Sequence, residues 1–417
     1  MIRIPLSRIA AAASAAVLMI SIPVAVPAAA EGKTDISCPH PNIAKPAGIP
    51  PRPVPPPDDP VNSAVGGDAL ATHGLVIPAG AKQPPAVTAT TWMVADLDTG
   101  EVLGGCGPHV YQTPASVQKT LLAATVMDKL DPKQTVTVVR GDLDIEVNSS
   151  AVGLVVGGKY QIATLWLGLM LNSGNDAANT LARLAGGGGP DGVAKTVAAM
   201  NAEARSLGAY QTHAVTPSGL DGKGQFTSAY DLALIARKDF ANADFRKYVL
   251  TKSAQMPAQP QLKQKGFQFQ NENKLIFGYP GAMGGKTGFT TVARHSYVGA
   301  AARNGRRLVV TLLGAEAHPL RGYQQGEALL DWGFSLPKDA SVGKLITPED
   351  VAQQQAAATA SRAESTTEAK PVSPARSSSS GGGLPMLPVA LGVAVLLAGT
   401  PLLLLLIQRR RKRPQVR

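Results

Sequence analysis

The sequence predicts an α+β domain: an antiparallel sheet flanked by helices, with a helical subdomain inserted between its first and last strands. Strand-like runs stand at both ends of the central region, 90–96 with 101–103 at one end and 285–292, 296–302 and 308–313 at the other. Between them, apolar residues recur at helical spacing, as in Val117, Leu121, Leu122, Ala124, Val126 and Leu130. Two tight-turn signals, Asp98-Thr99-Gly100 and Asn304-Gly305, join neighbouring strands as hairpins.

In chain order, Arg3 and Arg8 precede and flank an apolar run, and Ala28-Ala29-Ala30 supplies small residues before Glu31. Residues 1–30 are therefore expected to be a signal peptide, an uncleaved anchor being the other reading. Eight prolines between Pro46 and Pro60 make 31–85 an extended, semi-rigid arm. The folded domain is expected over 86–348. After its first hairpin, Thr113 can cap a helix whose first position is Pro114. Ser116 then lies in the first turn and Lys119 one turn later on the same face. An apolar helix over 162–171 is broken by Ser173-Gly174, and 176–182 starts another, so Ser173 and Asn175 sit on the turn between them. A last helix is expected over 327–334.

From 349 to 383 the chain is rich in Gln, Ala, Ser, Thr and Gly, and is expected to be a disordered tether. The following 24 residues, 384–407, are largely apolar and long enough for a transmembrane helix. Pro385, Pro388 and Pro401 are tolerated in such a span. The tail 408–417 carries five consecutive cations from Arg409 to Arg413, which places it in the cytoplasm and the domain outside. Charge follows the same topology. Of the formal +11, Arg3 and Arg8 supply +2 and the tail +6, leaving +3 for the rest. That remainder gives nucleic-acid binding little support. The two cysteines, Cys38 and Cys106, could pair in an exported chain, a point the sequence leaves open. The six histidines show no metal-ligand spacing, so neither a metal nor a cofactor is expected.

Three short motifs carry chemistry: Ser116-Val117-Gln118-Lys119, Ser173-Gly174-Asn175 and Lys286-Thr287-Gly288. Each is weak alone; Ser335-Leu336-Pro337-Lys338 has the first pattern too, but its proline argues against a helix. Together, 57 and 113 residues apart, they describe an acyl-transfer site. A desolvated Lys119 near a second ammonium can act as the base for Ser116. The Ser116 N–H and that of Phe289 can hold the oxyanion. Ser173 can pass a proton to the leaving amine, and Asn175 can hold the substrate amide. Thr287, under the field of Lys286, can bind a terminal carboxylate.

This set resembles the three motifs of penicillin-binding proteins and serine β-lactamases. Further stretches are similar to the low-molecular-weight D-alanyl-D-alanine carboxypeptidases: Asn172 through Ala178, Met200-Asn201, Ser218-Gly219-Leu220-Asp221, Ser228 through Ala233, Asn271 with Asn273, and Lys286 through Thr290. The resemblance covers about 90–335. It implies a penicillin-sensitive serine peptidase that removes the terminal D-alanine of peptidoglycan stem pentapeptides. It also points to Arg321 as a carboxylate-binding residue. Two departures stand out: no room for a β-rich second domain, and the Arg294-His295 pair. A D,D-transpeptidase would use the same acyl-enzyme. A class A β-lactamase needs a Glu to activate the deacylating water, and 208–224 contains none. An anchored, non-catalytic wall-binding protein would not need all three motifs intact.

Overall fold

The computed structural model describes residues 35–44 and 46–367. The expected signal peptide, the transmembrane helix, the basic tail and the tether beyond 367 lie outside the described residues. The chain divides into two units, 1–358 and 359–417. Of the second, only the end of a helix is described. Among the described residues, no helix is long and apolar enough to cross a membrane.

β-branched and aromatic residues make the first long strands, as their fit to a pleated surface requires. After the short β1 (Leu75–Val76), β2 (Thr91–Asp96) turns into β3 (Glu101–Cys106). Asp96 Oδ1 accepts from the Asp98 and Thr99 amides and closes that turn. Two satellite pairs follow, β4 (Thr135–Thr137) with β5 (Lys159–Gln161) and β6 (Ser253–Met256) with β7 (Phe267–Gln270). The main sheet is then completed by β8 (Ala282–Thr290), β9 (Arg294–Arg303) and β10 (Arg306–Ala315). Asn304 and Gly305 adopt φ of 52° and 74°, the left-handed pair a tight hairpin turn demands. The order β1-β3-β2-β10-β9-β8 is antiparallel throughout, with β11 (Gly343–Lys344) beside β3. The first strands thus meet the last at the centre, and β8 ends the sheet.

Alternation along these strands divides the core into two layers. Met93, Ala95, Val298, Ala300 and Val309 face one cluster. Trp92, Val94, Tyr297, Leu308 and Val310 face the other. The first layer receives the inserted helices: α2 (Lys119–Val126), α3 (Ile162–Asn172), α4 (Asn175–Ala185), α5 (Gly192–Ser206), α6 (Ala229–Ala241) and α7 (Ala243–Leu250), which follow the short α1 (Pro60–Ser63). α2 is buried on nearly all sides, consistent with its apolar composition. After the single turn α8 (Leu275–Gly278), α9 (Gly322–Ser335) covers the second layer, where Trp332 meets Trp92 edge-on at 5.8 Å.

Three expectations need correction. Of the segment expected as an arm over 31–85, the described residues before α1 form no helix or strand, but from α1 onward the chain joins the core. Val65, Leu70 and Leu75 are buried there, so the domain begins before 86. The Cys38–Cys106 disulfide ties the arm to β3. Second, the helix of Ser116 is not capped by Thr113; a 3-10 turn, Ala115–Gln118, precedes α2. Ala115 has φ 50°, which breaks regular helix at that point. Third, the chain expected to be disordered from 349 forms α10 (Pro348–Thr367) at its start. Proline suits the first position, and Thr347 and Asp350 exchange side-chain-to-amide bonds as a capping box. The Ala- and Gln-rich stretch that follows has high helix propensity, which favours helix over the expected disorder.

Candidate active site

A cleft of about 910 Å³ opens where β8, the start of α2, the α3–α4 junction and the loop 218–221 meet. Its floor is a short backbone approach. A Cβ on Gly288 would lie 2.8 Å from the Ser116 nitrogen and 3.0 Å from that of Val117. Only a glycine lets β8 come this close to the turn that carries Ser116. The loop 218–221 packs from the other side; a Cβ on Gly219, at φ 84°, would meet the Ala115 carbonyl oxygen. Ala115 is thereby held in its left-handed conformation, which costs about 1–2 kcal/mol.

Lys119 is completely buried at the start of α2. Its Nζ lies 2.8 Å from each of three oxygens: Ser116 Oγ, Asn175 Oδ1 and the Ser218 carbonyl. Burial pushes its pKa well below the ordinary lysine value, and the nearby Lys286 ammonium pushes it further down. As a neutral amine it has two N–H groups for the two carbonyl oxygens and one lone pair. The Ser116 hydroxyl is then the group that donates to it. This is the geometry of a general base on its nucleophile.

Lys286, on β8, is also buried, and its Nζ donates to Ser173 Oγ at 2.9 Å and to the Thr287 carbonyl at 2.7 Å. Burial lowers its pKa to about 8, while Glu272 acts in the opposite direction. At neutral pH it is chiefly an ammonium, and its charge adds to the downward push on the Lys119 pKa. Like-charge repulsion between the lysines is present, as expected from the motifs, but burial is the larger cause.

Ser173 ends α3 in a left-handed conformation, φ 61°, and Asn175 begins α4 rather than sharing the turn. The junction is braced by the buried Asp176. Its carboxylate accepts from the amides of Val152, Gly153 and Leu154, and the Asn175 amide donates to the Ser150 carbonyl at 2.8 Å. Thr287 and Phe289 also line the cleft, Phe289 with its ring half-exposed and tilted against His295, ring centres 4.6 Å apart. Arg321 lies on the wall before α9, with its side chain exposed. The structure thus gathers Ser116, Lys119, Ser173, Asn175, Lys286, Thr287 and Gly288 at one point. Phe289 and Arg321 line the same cleft.

Sequence reasoning missed three contributors. The Ser218 carbonyl is backbone and has no residue signature. Asp176 was read only as part of a helix start. Glu272, the countercharge felt by both lysines, sits between Asn271 and Asn273. Asn271 bonds the Val249 and Thr251 carbonyls, and Asn273 Oδ1 accepts from Tyr297 and the Leu275 amide. The visible signal was those two asparagines; what they brace became apparent only in three dimensions. Arg294, whose place in the sequence was unexplained, pairs with Glu316 at 2.6 Å beside the Phe289 ring. Among the described residues, no cluster of His, Cys, Asp or Glu could hold a metal.

Residues 79–317 match the family model described as D-alanyl-D-alanine carboxypeptidase. The chain is 46% identical over 276 residues to the D-alanyl-D-alanine carboxypeptidase DacB2 of Mycobacterium tuberculosis, covering 65% of this chain and 90% of that one. A crystal structure of a D-alanyl-D-alanine carboxypeptidase from M. tuberculosis superposes with a TM-score of 0.60 at 44% identity, over 65% of this chain and all of that one. The Streptomyces K15 DD-transpeptidase superposes with a TM-score of 0.58 at 29% identity, over 61% of this chain and all of that one.

Two outcomes follow from the geometry. Gly288→Ala forces β8 off the Ser116 turn and is expected to cut acylation by a labelled penicillin about 100-fold per folded molecule. Unchanged labelling would mean that the strand and the turn tolerate separation. In the second, Lys286 is charged below its pKa of about 8 and neutral above it. Turnover that depends on its ammonium should therefore fall as pH rises through about 8. Lys286→Arg, charged throughout, should move that limb upward and retain more activity than Lys286→Ala. A limb unmoved by the arginine would detach it from Lys286.

Proposed function

The chain belongs to the D-alanyl-D-alanine carboxypeptidase family, and from that premise we propose how its cleft removes the terminal D-alanine of a peptidoglycan stem pentapeptide. It is a serine-type peptidase that acts through an acyl-enzyme and is inhibited by penicillins. The observation that carries our assignment of roles is the 2.8 Å approach of the buried Lys119 amine to Ser116 Oγ.

In our reading, the substrate adds as an extended strand along the free edge of β8, where backbone groups await partners. Its terminal carboxylate lies by Thr287, in the field of Lys286 and with Arg321 on the facing wall. The scissile carbonyl lies between the Ser116 and Phe289 amides, and the Asn175 carboxamide holds the acyl portion. Lys119 takes the Ser116 proton as Oγ attacks the carbonyl carbon. The oxyanion forms against the two amides, which need no reorientation. Collapse of the intermediate expels the terminal D-alanine amine, which receives a proton through Ser173, and leaves an ester on Ser116. Water then hydrolyses that ester.

A second reading is favoured by the Streptomyces K15 neighbour, titled a DD-transpeptidase. An amine in place of water would capture the same ester. The family match weighs against a β-lactamase. The three assembled motifs weigh against a purely wall-binding protein.

The family is extracytoplasmic and acts on the cell wall. We further propose that residues 1–30 direct export and that 384–407 holds the domain at the outer face of the membrane. This rests on the apolar runs and on the basic tail that follows the second one.

Incubation of the purified enzyme with a pentapeptide ending in D-Ala-D-Ala is expected to release one D-alanine, read by mass spectrometry. Ser116→Ala should abolish both that release and labelling by fluorescent penicillin. A penicillin adduct mapped to another residue would overturn the assignment. Addition of an acceptor amine that appears in the product would favour transpeptidation. For the anchor, a chain cut before Leu384 should leave the membrane fraction with its peptidase activity intact. Retention in that fraction would place the anchor elsewhere.

A further inference from the structure

Three carboxylates line the cleft: Glu146, Asp221 and Glu272. Glu272 already acts on the two lysines, and Glu146 is exposed on its loop. Asp221 differs from both. It closes the loop 218–221 and is partly buried. Its Oδ1 accepts from Thr290 Oγ1 at 2.9 Å, a bond that joins the loop to the end of β8. Thr290 Oγ1 in turn accepts from the Ala293 amide at 2.9 Å, so the hydroxyl hydrogen is directed to Asp221. Oδ2 takes no hydrogen bond from the described residues. Burial raises the Asp221 pKa, only the Thr290 hydroxyl opposes that rise, and no cation contributes.

The loop itself is held firmly. Gln225 Oε1 accepts from the Val215 and Thr216 amides, its Nε2 donates to the Leu220 carbonyl, and the Ser218 carbonyl is bonded to Lys119. Asp221 is therefore a positioned carboxylate to which, among the described residues, no donor bonds at Oδ2 and no cation contributes. A partly buried anion in this state gains most from an incoming cation.

Substrate direction decides what reaches it, and this step rests on the reading above. With the terminal carboxylate by Thr287 and the scissile carbonyl beside Phe289, the acyl portion continues towards Thr290. A strand advances about 3.3 Å per residue. The residue immediately before the two D-alanines then comes level with Thr290 and Asp221.

We propose that Asp221 is a specificity-determining residue whose Oδ2 receives a cationic side chain from the residue preceding the D-alanyl pair, the terminal ammonium of a diamino acid. Thr290 fixes the carboxylate through its Oδ1, on a residue that lines the cleft.

The test compares Nα-acetyl-L-lysyl-D-alanyl-D-alanine with its Nα,Nε-diacetyl analogue, which lacks the charge but keeps the scissile bond. The wild-type enzyme is expected to favour the charged peptide about tenfold in kcat/KM, the scale of one charge-assisted bond. Asp221→Asn should bring that ratio to about one, and Asp221→Glu should restore part of it. The ratio is taken within one enzyme preparation, so a loss of folded protein cancels. A wild-type ratio near one, or an unchanged ratio in Asp221→Asn, overturns the proposal. If the wild type hydrolyses neither peptide and takes no labelled penicillin, the carboxypeptidase reading falls, and this proposal with it.

Discussion

The site depends on one buried amine. Lys119 has no solvent contact, and its Nζ meets Ser116 Oγ, the α3–α4 junction and the loop 218–221 at once. Burying an ammonium there is costly, and burial accordingly pushes the Lys119 pKa well below the ordinary lysine value. That downward shift suits Lys119 to the role of base proposed for it. A neutral amine satisfies the Asn175 and Ser218 oxygens with its two hydrogens and turns its lone pair to Ser116. The same three contacts that assemble the cleft therefore also fit the amine to the role of base proposed for it.

The second lysine shows how the pair divides its labour. Both side chains are buried, yet they are not equivalent. Lys286 keeps its proton to about pH 8, helped by Glu272, and donates to Ser173 and to the Thr287 carbonyl. Two ammoniums this near would repel, so the first to lose its proton leaves the other charged. In the proposed mechanism one lysine serves as the base and the other as a fixed positive field for a carboxylate. Asn271 and Asn273 contribute by bracing the segment that carries the countercharge.

The sheet supplies what the helices do not. Because the chain inserts all of its inner helices between β3 and β8, the last strand in sequence order before the β9–β10 hairpin becomes the edge of the sheet. An edge strand normally invites unwanted pairing. Here the helical layer faces it across a cleft, and Gly288 permits backbone contact with the Ser116 turn. The Cys38–Cys106 disulfide ties the arm to β3, and farther along Arg52 of the arm donates to Gln112.

By itself the sequence determined the fold class, the three motifs and the order in which they occur. Period-two and helical patterns are local, and the turn residues between them leave little choice. The strands were legible to within a few residues for that reason, as was the placing of Ser116 and Lys119 a turn apart. What failed locally was decided by packing. Thr113 and Pro114 read as a helix start, but contact with Gly219 holds Ala115 left-handed and begins the segment as a 3-10 turn. The arm was read from its prolines, while Val65, Leu70 and Leu75 bury it against the sheet. The Ala- and Gln-rich stretch after 348 had the composition of a tether, and helix propensity with a capping box prevailed at its start. Only tertiary structure could show the Ser218 carbonyl on Lys119, the brace at Asp176, and the bond from Thr290 to Asp221. These join positions far apart in the chain through backbone atoms or single polar groups, and such contacts leave no periodic trace in a sequence.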